Sequence, residues 1–247
     1  MKTTRSTLIQ AAPFFFFFNT LINAQTIIVS EWHVPSGNPY TTGSAGSIVV
    51  GDGSMDSANS ATFYGVFDEI LLADGMTISL NADLTLAGGS IHSNQMRFGV
   101  YDSDGSSTDT GWLGYFSQNN LLRERNDPNT NSFASTGGTQ TLGTGSEQNT
   151  FGNGNYDLAF SITRDGNLVD VLATLTGVGS TTYSSMRTVS GDTPNTFSFD
   201  RIGFLLGSSL GVDQATLSNV TINTVPEPSA LAMSLLSLLT LLRRQRR

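Results

Sequence analysis

The chain has no cysteine. Disulfides, thiolate metal ligands and a cysteine nucleophile are therefore excluded, and the fold must rest on an apolar core. Lysine is nearly as scarce. Lys2 is the one lysine, and between Gln25 and Thr224 the positive charges are six arginines, heavily outnumbered by Asp and Glu. A phosphate backbone is held by clustered positive charge, so nucleic acid is an unsuitable partner for this region. Histidine is limited to His33 and His92, and neither stands in an H-E-x-x-H pattern. The E-x-D-x-E strand motif of carboxylate catalysis is missing too: Glu31, Glu69, Glu124 and Glu147 are scattered singly, and no G-x-S-x-G stands in a strand–turn–helix context. No catalytic residue is assigned on these patterns. Helical periodicity is almost absent between Gln25 and Thr224.

What is present begins at the two ends. Lys2 and Arg5 precede the apolar run Leu8–Ile22, which contains Phe14–Phe18, and Ala24 sits just before Gln25. A positive start, an apolar stretch and a small residue at the junction predict a secretory signal peptide over residues 1–24. At the other end, Val225-Pro226-Glu227-Pro228-Ser229 leads into the apolar run Ala230–Leu242 and then Arg243-Arg244-Gln245-Arg246-Arg247. Two prolines within three residues enforce an extended spacer. The apolar run predicts a single helix that enters a membrane, with the arginines held on the cytoplasmic side. Its 13 residues reach about 20 Å against a hydrocarbon core of about 30 Å, so the flanks must complete the span.

This order of proline spacer, apolar helix and arginine cluster resembles the PEP-CTERM sorting signal of Gram-negative bacteria, which an exosortase-type membrane protease processes. The resemblance covers residues 225–247. It implies an exported protein, anchored transiently at the inner membrane and then sorted to the cell surface or extracellular matrix. It also implies an association with exopolysaccharide production.

Residues 25–224 read as one all-β domain. Their acidic balance suits a soluble extracellular surface or divalent cations. In Met76–Leu86 every even position is apolar and every odd one polar, the pattern of a strand with one wet face. Asp157–Leu175 contains Asp165-Gly166 between two β-rich runs, which predicts a hairpin. Further strands are expected at Thr26–His33, Ser47–Val50, Thr62–Phe67, Glu69–Leu72, Gln95–Tyr101, Trp112–Phe116, Asn120–Arg125, Thr181–Val189, Thr196–Leu206 and Ala215–Ile222. Thr196–Leu206 changes phase, which predicts a bulge near Asp200-Arg201. About twelve short strands between Gly, Asn, Ser and Asp point to an antiparallel two-sheet β-sandwich, a jelly roll, with a closed barrel as the alternative. Asp127–Gly154, poor in apolar residues, reads as a long loop or a poorly ordered excursion. The stretches Gln95–Gly105, Phe199–Leu205 and Gln214–Ile222 resemble the concanavalin-A-like or laminin-G-like sandwiches common in PEP-CTERM proteins, which implies a fold and no activity.

Two places could carry chemistry. Asp102-Ser103-Asp104-Gly105-Ser106-Ser107-Thr108-Asp109 spaces carboxylates as a calcium loop does, with Asp102, Asp104 and Asp109 as candidate metal ligands. The twelfth position of an EF-hand loop holds Leu113, so the pattern is incomplete. The plain alternative is a hairpin loop built on Asx turns. Gly51–Asp56 is a second, weaker acidic loop. Among the aromatics Trp32, Tyr101, Trp112 and Tyr115, the pair Trp112 and Tyr115 borders the first loop and is the candidate ligand-binding pair, for stacking on a sugar. The alternative for these rings is core packing at strand ends. The leading functional expectation is a surface or matrix protein with a structural or interaction role beside extracellular polysaccharide, and not an enzyme. A carbohydrate-binding module, with or without calcium, is the alternative, and a polysaccharide hydrolase comes third.

Overall fold

The computed structural model describes residues 24–35, 41–51, 61–88, 96–118, 121–126, 131–148, 151–207 and 212–226. The signal-peptide run, the Gly51–Asp56 loop beyond Gly51, and the sorting tail from Glu227 onward lie outside the described residues. Among those described, every regular element is a strand, and no helix is long and apolar enough to cross a membrane.

The strands form two antiparallel sheets. The nine-stranded sheet runs in the order β11 (Ser146–Gln148), β14 (Ser184–Asp192), β13 (Leu168–Val178), β12 (Gly154–Asp165), β6 (Met76–Ala87), β16 (Gln214–Pro226), β4 (Ser47–Val50) and β3 (Thr41–Ser44), and β1 (Gln25–Ile28) also pairs with β16. The seven-stranded sheet runs β10 (Thr139–Thr144), β9 (Leu121–Arg125), β8 (Leu113–Gln118), β7 (Met96–Asp102), β15 (Ser198–Leu206), β5 (Ala61–Leu71) and β2 (Glu31–His33). The two sheets pack face to face as a sandwich. The regions that carry the concanavalin-like resemblance are central: β7 pairs with β15, and β16 lies beside β6.

Alternation places the side chains. In β6 the even residues Met76, Ile78, Leu80, Ala82, Leu84 and Leu86 are all buried, and the odd residues face outward. The hairpin of β12 and β13 forms, but its turn falls one residue later than an Asp-Gly turn. Asp165 pairs with Leu168, so Gly166 and Asn167 make the bend, with Gly166 at φ 60. Thr26–His33, expected as one strand, is two. The chain leaves the nine-stranded sheet after Ile28, turns at the fully buried Val29, and enters the seven-stranded sheet at Glu31. The expected pair Thr62–Phe67 and Glu69–Leu72 is instead the continuous β5. Its ladder with β15 is irregular where the phase change predicts it: Phe199 pairs with Ile70 and Arg201 with Val66, so β5 supplies the extra residues.

Asp127–Gly154 is not one long loop. It contains β10 and β11 and buries Phe133, Ala134 and Phe151. Both strands end their sheets, and a sheet edge tolerates polar residues on either face, so no alternation marks them. The main core lies between the sheets, around Phe63, Phe98, Phe160, Phe199 and Phe204. A second cluster of Tyr64, Tyr101, Trp112, Phe116, Phe133 and Ala134 covers the outer face of the seven-stranded sheet.

Candidate functional site

The acidic loop joins β7 to β8. Asp102 Oδ1 accepts the Asp104 N–H at 2.9 Å, an Asx turn, and its Oδ2 accepts the Thr196 hydroxyl at 2.6 Å. Asp104 takes the left-handed conformation at φ 50 and Gly105 follows at φ 71. Asp109 Oδ2 accepts the Ser132 hydroxyl at 2.8 Å. The neighbouring Ser103 donates its N–H and hydroxyl to the Asp200 carboxylate at 2.8 and 2.6 Å. Asp102 and Asp109 thus serve separate elements, and among the described residues no group of three His, Asp or Glu side chains could hold a metal ion. The Asx turn at Asp102 and the hydroxyls of Thr196 and Ser132 on Asp102 and Asp109 fit the turn reading of this loop, and the three carboxylates of the calcium reading, Asp102, Asp104 and Asp109, are not gathered into one group.

Trp112 and Tyr115 are both fully buried, which corrects their assignment as a surface stacking pair. Trp112 stacks on Phe133 with ring centroids 4.7 Å apart, meets Tyr64 edge-on at 4.9 Å, and donates its indole N–H to Thr108 O at 2.9 Å. The cover over it is the segment 131–138, held down by Arg125. That guanidinium is fully buried and donates to the carbonyls of Trp112 (3.3 Å), Asn131 (3.2 Å), Phe133 (3.4 Å) and Ser135 (2.9 Å). Phe133 lies over Gly203, where an added Cβ would come within 2.5 Å of its ring.

Tyr115 points the other way, between the sheets. Its hydroxyl lies 2.8 Å from Asp192 Oδ2 and 3.4 Å from Glu124 Oε1. Glu124, only 3% exposed, also accepts from the backbone N–H and side-chain amide of Asn195 at 3.0 and 2.7 Å. Burial raises both groups above their ordinary values, the Tyr115 phenol far above. This network ties β9 in one sheet to β14 in the other. Its sequence signal is faint: Glu124 shares the inward face of β9 with Leu122, an apolar position holding an acid.

An open cleft lies at the edge where β2 meets β3. It holds about 300 Å³ and is lined by Ser30, Glu31, Trp32, Val34, Gly43 and Ser44. Trp32 is half-buried; it packs on Phe63 and Phe204 at 6.2 and 6.3 Å, and its indole N–H donates to Ser44 O at 3.1 Å. The indole edge passes so close over Gly43 that a Cβ there would sit 3.1 Å from Trp32 Cδ1. Glu31, with its side chain 65% exposed, places Oε1 3.2 Å from His33 Nε2. His33 in turn stacks on Tyr64 at 4.9 Å. The cleft combines an aromatic wall, an exposed carboxylate and two serines, groups that hold hydroxyl-rich ligands with an apolar C–H face. Trp32 stands out in the sequence only as one of two tryptophans; the cleft needs β3 folded beside it.

No protein-family model matches the chain, and no curated protein matches it. Among solved structures, it is similar to arcelin-5, a lectin-like defense protein from Phaseolus vulgaris, with 11% identity and a TM-score of 0.46 over 83% of this chain and 99% of that one. Lectin II from Ulex europaeus is similar with 10% identity and a TM-score of 0.45 over 83% and 98%. An endo-1,3-beta-glucanase from Streptomyces sioyaensis has 12% identity and a TM-score of 0.42 over 83% and 90%. At these identities the likeness concerns the β-sandwich alone, and it assigns no activity.

Proposed function

We propose that this chain is an exported β-sandwich that attaches to extracellular polysaccharide without cleaving it, at the cell surface or in the matrix. The observation that carries this reading is the Trp32 cleft. A half-buried indole beside an exposed carboxylate and serine hydroxyls, in an open cleft, while the second tryptophan Trp112 is sealed in, is a surface suited to a sugar ring. The C-terminal order of proline spacer, apolar run and arginines supports delivery by an exosortase-type sorting system. Two residues of the spacer also belong to the fold: Val225 pairs with Thr77, and Pro226 is opposite Met76.

The test is a glycan array probed with the full-length protein and with Trp32→Phe, each with and without calcium. Phenylalanine keeps an aromatic body against Phe63 and Phe204 but loses the indole width and its N–H. Wild type is expected to retain polysaccharide, and the variant to retain at least several-fold less. Absence of any glycan signal from the wild type overturns the binding reading in favour of a purely structural role.

A further inference from the structure

The Trp32 cleft has a sign as well as a shape. The carboxylate of Glu31 is the one charged group among its lining residues. The domain around it is acidic. Of the 20 Asp and Glu in the chain, all but Glu227 lie between Gln25 and Thr224, against six arginines. None of those arginines lines the cleft. Arg201 flanks Val66 in β5 from one side as Glu31 does from the other, and it is paired with Asp200 at 2.8 Å.

Glu31 is also held in place. Across β2 and β5, Glu31 is opposite Val66 and His33 opposite Tyr64, so alternation sets Glu31 and His33 on one face. His33 Nε2 lies 3.2 Å from Glu31 Oε1, and the imidazole is stacked on Tyr64. Tyr64 in turn meets the buried Trp112 edge-on. An exposed carboxylate usually gives up side-chain freedom when it takes a partner. This one is steadied beforehand by a ring anchored in the outer cluster, so less is lost on binding. Trp32 turns to the opposite face of β2 and packs against the main core. Because β2 ends its sheet, side chains of both parities border its open side, and the indole and the carboxylate flank the same cleft.

The two groups share a preference. A carboxylate attracts a cation by its charge, and an indole attracts one through the negative face of its ring. A uronic or sulfated sugar would bring its own negative charge to Glu31 and to the field of an acidic domain. The hydroxyls of Ser30 and Ser44 can both donate and accept, which suits a sugar's hydroxyls. We propose that the Trp32 cleft takes a sugar carrying a free, protonated amine, with the ammonium at Glu31 and the ring along the indole. This rests on the cleft being a polysaccharide site and names the class of polysaccharide, one with unacetylated amino sugars.

The experiment measures the affinity of the full-length protein for a β-1,4-linked glucosamine oligomer, its fully N-acetylated counterpart and an oligolysine of equal length, at neutral pH. The proteins are wild type, Glu31→Gln and Asp157→Asn, the last removing an exposed carboxylate from the outer face of the nine-stranded sheet. Wild type is expected to prefer the free amine over the N-acetylated oligomer by about threefold to tenfold, the effect of one exposed ion pair and one cation–π contact. The preference should shrink as salt rises. Glu31→Gln should abolish most of it, and Asp157→Asn should leave it intact. Equal wild-type affinity for the two sugar oligomers overturns the proposal and leaves the polysaccharide reading standing. Equal losses in Glu31→Gln and Asp157→Asn also overturn it, because the attraction is then the diffuse field of the domain. Oligolysine bound as tightly as the amino sugar, and lost equally in Glu31→Gln, overturns it in favour of a basic peptide. If Glu31→Gln does not fold, salt decides: a wild-type preference that salt leaves unchanged refutes the ion pair.

Discussion

In the nine-stranded sheet, β6 and β13 bury one face and leave the other to water. In the seven-stranded sheet, β7 and β8 bury both. The wet face of the first carries short polar side chains such as Thr77, Ser79, Asn81 and Ser161, paired across strands. The corresponding face of the second carries arginines and aromatics under the segment 131–138. The difference lies in what each outer face must satisfy. Small hydroxyls and amides are content with water. Large rings are not, and the main-chain carbonyls of the segment that covers them need buried donors, which Arg125 provides.

The largest test of this contrast is Arg125→Met. The change keeps an apolar stem and removes the donors to four carbonyls, and it should cost about 3–5 kcal/mol in urea unfolding. Ser79→Ala, on the wet face, should stay within about 0.5 kcal/mol. Equal costs for the two would mean that the covering segment is not integral to the fold.

A smaller effect is expected between the sheets, at Glu124. Its folded-state pKa is raised, chiefly by burial. The folded protein therefore holds this proton more tightly than the unfolded chain does. The resulting stability is fully present below the ordinary glutamate value of about 4.3 and is lost as pH rises through the higher folded value. Glu124→Gln, which cannot ionise and still accepts from Asn195, should gain on wild type as pH rises across that range. A difference between the two proteins that is constant with pH would show that Glu124 does not titrate differently on folding.

The smallest effect concerns the acidic loop. Asp104→Gly places a residue without Cβ at φ 50, where glycine is at ease, and should change stability by less than about 1 kcal/mol. Millimolar calcium should leave the melting temperature of both proteins unchanged. A calcium-dependent rise in the wild type that is absent from the variant would restore the cation site and break the turn reading.

The legibility of the two sheets differs for the same reason. Alternation marks a strand only when one face is wet, so β6 and the β12–β13 hairpin could be read residue by residue. In β7, Phe98 and Val100 point into the core while Tyr101 lies buried on the opposite face. A face-by-face pattern cannot separate them. Trp112 and Tyr115 are both apolar, near each other in sequence, and adjacent to an acidic loop. Nothing local says that one ring is sealed under Phe133 and the other between the sheets.

By itself, the sequence determined the all-β class, the phase of β6, the irregularity near Asp200, and the composition of the two ends, because each depends on neighbours within a few residues. Tertiary structure alone decided which sheet each strand joins, which aromatic keeps a wet face, and which charges are spent. Trp32 and Gly43 belong to β2 and β3, the end strands of different sheets, and only their meeting forms the cleft that the indole and the Glu31 carboxylate flank. The reason is physical: a strand's pattern records that one of its sides is buried, but the layer that buries it comes from elsewhere in the chain.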